Sequence, residues 1–137
     1  MTTQQRYEGF QSIAKALGSD GCHFLVLCSI IEEYTGNPLD LIHVIRTCLD
    51  KGWITSDFTV LGDGTWVLTY FTGAKWTRKE VVKLPVIRDN DYTEAIWYNP
   101  RTGYHHYRRR YFDTLDCSVT VKEGYIEKYY IYTVQVA

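Results

Sequence analysis

Residues 19–28 read SDGCHFLVLC, and this stretch decides where the central helix of the chain begins. Gly18 to Gly21 supply turn and capping residues, so a helix is expected to start at Cys22. From Cys22 to Tyr34 the chain is apolar on nearly every helical face until Glu32, which is typical of a buried helix rather than an amphipathic surface helix. The stretch therefore predicts a central, buried helix that opens with a cysteine.

The remainder of the chain changes character near residue 55. Residues 4–16 and 38–52 carry apolar side chains at helical spacing, whereas the later part contains short segments rich in β-branched and aromatic residues. These segments are VVKLPVI (81–87), TEAIWYN (93–99), YHHYRR (104–109), RYFD (110–113) and YIEKYYIYTV (125–134), with Asn99–Gly103 as a hairpin loop. Residues 64–72 are compatible with a strand or with a short helix capped by Asp63. Helices followed by an antiparallel sheet predict an α+β fold, and 137 residues predict one domain over 1–137.

The amino-acid composition argues against several classes of function. Fifteen Lys and Arg balance sixteen Asp and Glu, so no overall field draws the protein to nucleic acid or to a membrane. The polar start and the absence of an apolar run of about 20 residues predict a cytoplasmic protein that does not associate with membranes. The four cysteines (Cys22, Cys28, Cys48 and Cys117) are irregularly spaced, which in a reducing compartment predicts free thiols. They form no CxxC pair, and no HxxxH pair accompanies them, so no metal site and no cofactor are expected.

Cys22 is the cysteine that could serve as a nucleophile. The unpaired N–H groups and the dipole at a helix start favour a thiolate, and the same N–H groups can receive an oxyanion. Gly21 has no side chain and would let a substrate carbonyl approach the sulfur. Cys28 and Cys48 fall in mid-helix and lack these advantages, while His23 projects about 100° away from Cys22 around the helix. The simpler alternative is that Cys22 is a buried structural thiol.

A thiolate nucleophile needs a base, and residues 104–116 (YHHYRRRYFDTLD) offer one. A tight hairpin with Arg109–Arg110 at its tip would make His106 and Asp113 cross-strand neighbours. A three-residue loop would pair His105 with Asp113 instead, and adjacent strand residues point to opposite faces. Both registers are open, so His105 is kept as the alternative base.

Two other features have simpler interpretations. The run Arg108–Arg110, flanked by aromatic residues, could hold phosphate or stack on bases, but the balanced charge favours a solvated hairpin tip, and nucleic-acid binding is not expected. His43 is expected on the exposed face of the helix within 38–52. Neither feature carries the main functional hypothesis.

The order of the motifs resembles a known family. SDGCHFLVL, DLIHVIRTCLDKGWITSDFTV, LTYFTGAKW and YHHYRRRYFDTLDCSVTVKEGYI, in this order, resemble the C39-like branch of the papain-like cysteine peptidases, especially small members carried by bacteria, plasmids and phages. The similarity extends over about residues 10–134. The resemblance implies a papain-like fold, with the helix at Cys22 packed on a C-terminal antiparallel sheet. It also implies that Cys22 is the nucleophile, His106 the base and Asp113 the orienting acid, and it favours helix for 64–72.

The expected function is cleavage or transfer of an acyl group from a peptide or isopeptide bond in a peptide or protein substrate. The related peptidases usually place a glutamine shortly before the cysteine, but none is present in residues 16–21. Ser19, or the backbone N–H of Cys22, would then complete the oxyanion hole. The missing glutamine motivates an alternative from another class: a catalytically inactive papain-like protein, encoded by a phage or plasmid, that binds a host protein through its Tyr- and Trp-rich surface.

Overall fold

A computed structural model describes residues 21–112 and 122–135. Within these ranges the chain forms the helices α1 (Gly21–Thr35), α2 (Leu41–Asp50) and α3 (Thr65–Thr72), followed by the strands β1 (Trp76–Val81), β2 (Asp91–Tyr98), β3 (His105–Arg109) and β4 (Tyr125–Val134). The strands form one antiparallel sheet in the order β1-β4-β2-β3. This arrangement confirms the predicted α+β fold. No helix in the described part of the chain is long and apolar enough to span a membrane.

Some of the predicted features lie outside the described residues. These are the helix expected over 4–16, Ser19, Asp113 and Cys117.

Helix α1 is the buried helix that the sequence predicts. Nearly every side chain from Cys22 to Ile31 is buried, and several belong to the main hydrophobic core. The helix ends where Gly36 takes a left-handed backbone conformation (φ 70°) and donates its N–H to the carbonyl of Glu32 at 2.9 Å. Glycine is favoured at this position because it has no Cβ to clash there.

Helices α2 and α3 contribute further side chains to the core that α1 forms. The Asp40 side chain accepts from the N–H of His43 at the start of α2, and His43 is exposed as expected. The side chains that α2 buries are Leu41, Val44 and Cys48. The helical interpretation of residues 64–72 is confirmed by α3.

The hairpin between β2 and β3 sets the register of the candidate base residues. Its loop is the predicted one: Gly103 donates to the carbonyl of Asn99 at 2.8 Å, and Asn99 donates to the carbonyl of Tyr104 at 3.0 Å. The ladder then pairs His105 with Tyr98 and continues regularly to Arg109.

The predicted tight hairpin with Arg109–Arg110 at its tip is wrong. Arg109 lies within β3 and pairs with Glu94, and residues 110–112 belong to no strand. The reason is that the loop over 99–104 aligns β3 with β2, so the local spacing of the histidines and Asp113 does not determine the register.

One face of the sheet is covered by α1, and the contacts show in which direction the helix runs. The ring of His23, in the first turn of α1, lies 4.8 Å from the ring of Tyr107. Near the other end of α1, Glu33 forms an ion pair with Arg109 at 2.8 Å, and Tyr34 contacts Tyr92. The amino terminus of α1 therefore points toward the end of the sheet where β3 begins.

Candidate active site

Cys22 is the second residue of α1 and is 1% exposed. The first N–H groups of a helix have no partner within the helix, and the dipole makes this end partially positive, which favours a thiolate. Gly21, the first residue of α1, is also buried.

Two of the other cysteines have environments that oppose ionisation. Cys28 is buried in mid-helix, and this burial raises the pKa of its thiol well above the ordinary value. Burial raises the pKa of Cys48 to about 11. Both are free thiols and neither lies at a helix start. Among the described cysteines, only Cys22 lies at a helix start.

His106 is fully buried in the middle of β3 and pairs with Trp97. On the same strand, the side chains of Tyr107 and Arg109 contact α1. Because successive strand residues point to opposite faces, His106 projects from the face of the sheet opposite to α1. With Asp113 outside the described residues, the Cys22–His106–Asp113 triad stays a prediction.

His105 has the opposite orientation. It lies two residues from Tyr107 and therefore on the α1 face, one step further toward the end where α1 begins. Its Nε2 atom lies 3.0 Å from Oε2 of Glu127, and both side chains are partly exposed to solvent. The Tyr98 ring lies 4.9 Å from the imidazole ring. A carboxylate at Nε2 orients the imidazole and leaves Nδ1 as the nitrogen that can exchange a proton.

A β-bulge explains why Glu127 reaches His105. Between β2 and β4 the register shifts, since Ile96 pairs with Lys128 but the next residue, Trp97, pairs with Ile126. Glu127 is thus the additional residue of β4. A bulge twists the strand locally and redirects a side chain, which is why bulges are frequent beside active sites. The sequence analysis missed Glu127, because a bulge is set by the partner strand.

A second group of polar side chains lies buried between α1 and the sheet. Glu94, on β2, is fully buried, and its Oε2 lies 2.5 Å from Nδ1 of His23. Its Oε1 accepts from the hydroxyl of Tyr132 at 2.8 Å. Burial and the adjacent Glu94 carboxylate raise the pKa of Tyr132 well above its ordinary value, so the hydroxyl stays protonated and continues to donate. One feature of the sequence could have indicated this cluster: Glu94 is the one charged residue in the predicted strand TEAIWYN.

Arg109 is not the solvated residue of a hairpin tip, as the sequence suggested. It is buried and donates from Nε to the carbonyl of Thr93 at 2.9 Å and from Nη1 to the hydroxyl of Ser29 at 3.3 Å. Its ion pair with Glu33 ties β3 to α1. The run Arg108–Arg110 therefore does not form a continuous basic surface.

Neither family models nor curated proteins nor solved structures match this chain. The resemblance to the C39-like peptidases therefore stays a prediction from the motifs alone. The functional argument has to come from the geometry of the described residues.

In chemical terms, one end of the sheet combines a thiol at a helix start with a histidine oriented by a carboxylate. These are the components of nucleophilic catalysis by cysteine. In residues 21–112 and 122–135, no group of three or more His, Cys, Asp or Glu side chains is arranged to hold a metal ion.

Proposed function

We propose that the protein is a cysteine hydrolase or acyltransferase that acts on a peptide or isopeptide bond, with Cys22 as nucleophile. In this proposal His105, rather than His106, is the base, and Glu127 orients it. The observation that carries the proposal is the pair His105–Glu127, at 3.0 Å, on the α1 face and at the end where α1 begins with Cys22. The geometry of the sheet thus favours the alternative base over the one that the family resemblance implies.

The reaction follows from these roles. Nδ1 of His105 takes the proton from Sγ of Cys22, and the thiolate attacks the substrate carbonyl carbon. N–H groups of the first turn of α1 receive the oxyanion that forms. The tetrahedral intermediate collapses to a thioester as His105 gives its proton to the leaving amine. Water or a second amine, deprotonated by His105, then attacks the thioester and releases Cys22.

The burial of Cys22 adds a kinetic requirement. A sulfur that is 1% exposed reacts only when the atoms covering it move aside, so substrate entry has to include a local opening. The same local opening also limits the rate at which small reagents such as iodoacetamide react with Cys22. Variants must therefore be compared with one another at Cys22 and not only with an exposed thiol.

The experiment is alkylation by substoichiometric iodoacetamide between about pH 5 and pH 9, with each cysteine quantified by mass spectrometry. An ordinary thiol is only a few per cent thiolate at pH 7, whereas pairing with an imidazolium keeps it mostly ionised. His105→Ala is therefore expected to slow the alkylation of Cys22 at pH 7 roughly tenfold to thirtyfold. His43→Ala is the matched control, because His43 is exposed and distant in sequence from the site.

The same assay decides between the two bases and tests the enzyme hypothesis. If His106→Ala slows alkylation and His105→Ala does not, the base is the one that the resemblance implies and the assignment of His105 is wrong. If neither variant changes the rate at Cys22, and Cys22 reacts no faster than Cys28, the protein is not a cysteine hydrolase.

A second function, binding of a host protein without catalysis, is favoured by one surface. On α3, Trp66 and Tyr70 lie one helical turn apart and are 65% and 51% exposed. The ring of Trp53 packs against Tyr70, and the Lys51 ammonium lies 4.9 Å from the Tyr70 ring. Exposed aromatic residues of this kind are typical anchors of protein interfaces. Under this function, Cys22→Ser would still co-purify the host partner, whereas Trp66→Ser combined with Tyr70→Ser would not.

A further inference from the structure

We infer that Glu94 is a positioning residue: through His23 it holds the first turn of α1 on the sheet and thereby sets where Cys22 lies relative to His105. This inference rests on the proposed function. It adds Glu94 as a residue that acts through His23 and not on the reacting atoms. It concerns the cluster of Glu94, His23 and Tyr132.

The first step is the burial of the carboxylate. Glu94 has no exposed surface, yet each of its oxygens has a partner from a different element: Oε2 contacts His23 of α1, and Oε1 accepts from Tyr132 of β4. Burying a carboxylate is unfavourable unless it is paired and hydrogen-bonded, and apolar side chains of similar volume often fill such a position with equal or greater stability. A buried polar cluster of this kind is better suited to specifying one arrangement than to adding stability.

The second step is the direction that this cluster imposes. Apart from His23, the side chains that α1 buries between residues 22 and 31 are apolar except for Ser29, whose hydroxyl accepts from Arg109 at 3.3 Å further along the helix. Apolar contacts have no directional preference. The hydrogen bond between Nδ1 of His23 and Glu94 is short and directional, at 2.5 Å. It therefore limits both rotation and sliding of the first turn.

The third step is the connection to the nucleophile. His23 is covalently adjacent to Cys22, and its ring also packs against Tyr107, which lies two residues from His105 on the same face of β3. A displacement of His23 consequently moves Cys22 relative to His105. Reacting groups that are misplaced by about 1 Å lose about a hundredfold in rate.

The experiment measures how much His105 accelerates the alkylation of Cys22, with and without the His23–Glu94 contact. In each background, the rate at which iodoacetamide alkylates Cys22 when His105 is present is divided by the rate after His105→Ala is added. This ratio is measured in three backgrounds: wild type, His23→Leu and His23→Asn. Leu and Asn have nearly the same shape, but only Asn keeps a donor near the position of Nδ1.

The expected result is a ratio of roughly ten or more in the wild type and in His23→Asn, falling below about two in His23→Leu. Glu94→Leu should lower the ratio to the same level, and His23→Leu should cause no further loss in that background. A purely structural role would reduce stability and leave the ratio unchanged. Equal ratios in His23→Leu and His23→Asn would overturn the inference.

The outcomes separate this inference from the proposed function. A ratio near one already in the wild type overturns the positioning role together with the assignment of His105 as base, because His105 then does not assist Cys22; His106→Ala then decides whether the hydrolase function stands. A high ratio that survives His23→Leu and Glu94→Leu overturns only the positioning role. The alkylation of Cys28 monitors folding, since it rises when α1 unfolds; if Glu94→Leu exposes Cys28, the pair His23→Leu and His23→Asn still decides the question.

Discussion

Replacement of Arg109 tests the register of β3, on which the orientation of His105 depends. In the structure the guanidinium connects β3 to β2 through the carbonyl of Thr93 and to α1 through Ser29 and Glu33. A residue at a solvated hairpin tip would make no such contacts. Arg109→Met keeps most of the side-chain volume and removes every polar contact, so its effect on stability distinguishes the two arrangements.

The magnitude can be worked out from the individual contacts. A hydrogen bond from a charged donor to the buried Thr93 carbonyl contributes about 1.5–3 kcal/mol, and the longer bond to Ser29 contributes about 0.5–1 kcal/mol. The Glu33 carboxylate is 53% exposed, so solvent screening limits that ion pair to about 0.5 kcal/mol. Arg109→Met is therefore expected to lower the free energy of unfolding by about 3 kcal/mol.

Urea unfolding monitored by tryptophan fluorescence measures this loss. With a slope of about 1.5 kcal/mol per molar urea for a chain of this size, the midpoint should fall by about 2 M. Arg110→Met is the matched control, because Arg110 is exposed and lies outside β3, and its midpoint should move by less than about 0.3 M. If Arg109→Met and Arg110→Met have equal, small effects, the guanidinium is not buried against α1 and the register described above is incorrect.

Three further predictions follow from the titratable and buried groups. Burial raises the pKa of Cys48 from an ordinary 9.0 to about 11, so its alkylation at pH 8 should be about a hundredfold slower than that of an exposed thiol. If the alkylation rate of Cys48, measured by mass spectrometry, had its inflection near pH 9, this prediction would be contradicted. Burial tends to raise the pKa of Asp63, but hydrogen bonds from Thr65 outweigh it and lower that pKa. Asp63→Ala should thus cost about 1 kcal/mol at pH 7 in urea unfolding, and this cost should shrink as the pH falls below the ordinary range of an aspartate, where the carboxylate becomes protonated. Tyr132→Phe removes a donor to the buried Glu94 carboxylate and should lower the unfolding free energy by about 2 kcal/mol, whereas an unchanged urea midpoint would show that the hydroxyl does not support that carboxylate.

Local sequence signals predicted those elements whose limits depend on neighbouring residues. The glycine after Thr35 ends α1, and the loop over 99–103 defines the β2–β3 hairpin. Each of these signals acts through backbone conformation or capping within a few residues. For residues 64–72, Asp63 made a short helix as plausible as a strand, and only the family resemblance favoured the helix that α3 confirms.

The orientation of the candidate base could not be predicted in this way. Whether His105 or His106 faces α1 depends on strand pairing, and a shift of one residue reverses every side chain of a strand. Glu127 illustrates the same limit more strongly, because it reaches His105 only through a bulge that β2 imposes on β4. Non-local pairing thus decides the chemistry of the site, while local patterns decide only that a strand is present.

Polar connections near both ends of α1 together define the position of the helix: His23 contacts Glu94 at its start, and Ser29 and Glu33 contact Arg109 further along. Its buried side is almost entirely apolar, and an apolar helix can slide along a sheet with little change in contact area. A shift of one helical turn, about 5.4 Å, would break the His23–Glu94 contact at one end and the Glu33–Arg109 ion pair at the other. Because these contacts lie near opposite ends of α1, neither rotation nor sliding can preserve both. The first turn of α1 therefore keeps a defined position on the sheet, although most of the surrounding core is held by apolar contacts that have no preferred direction.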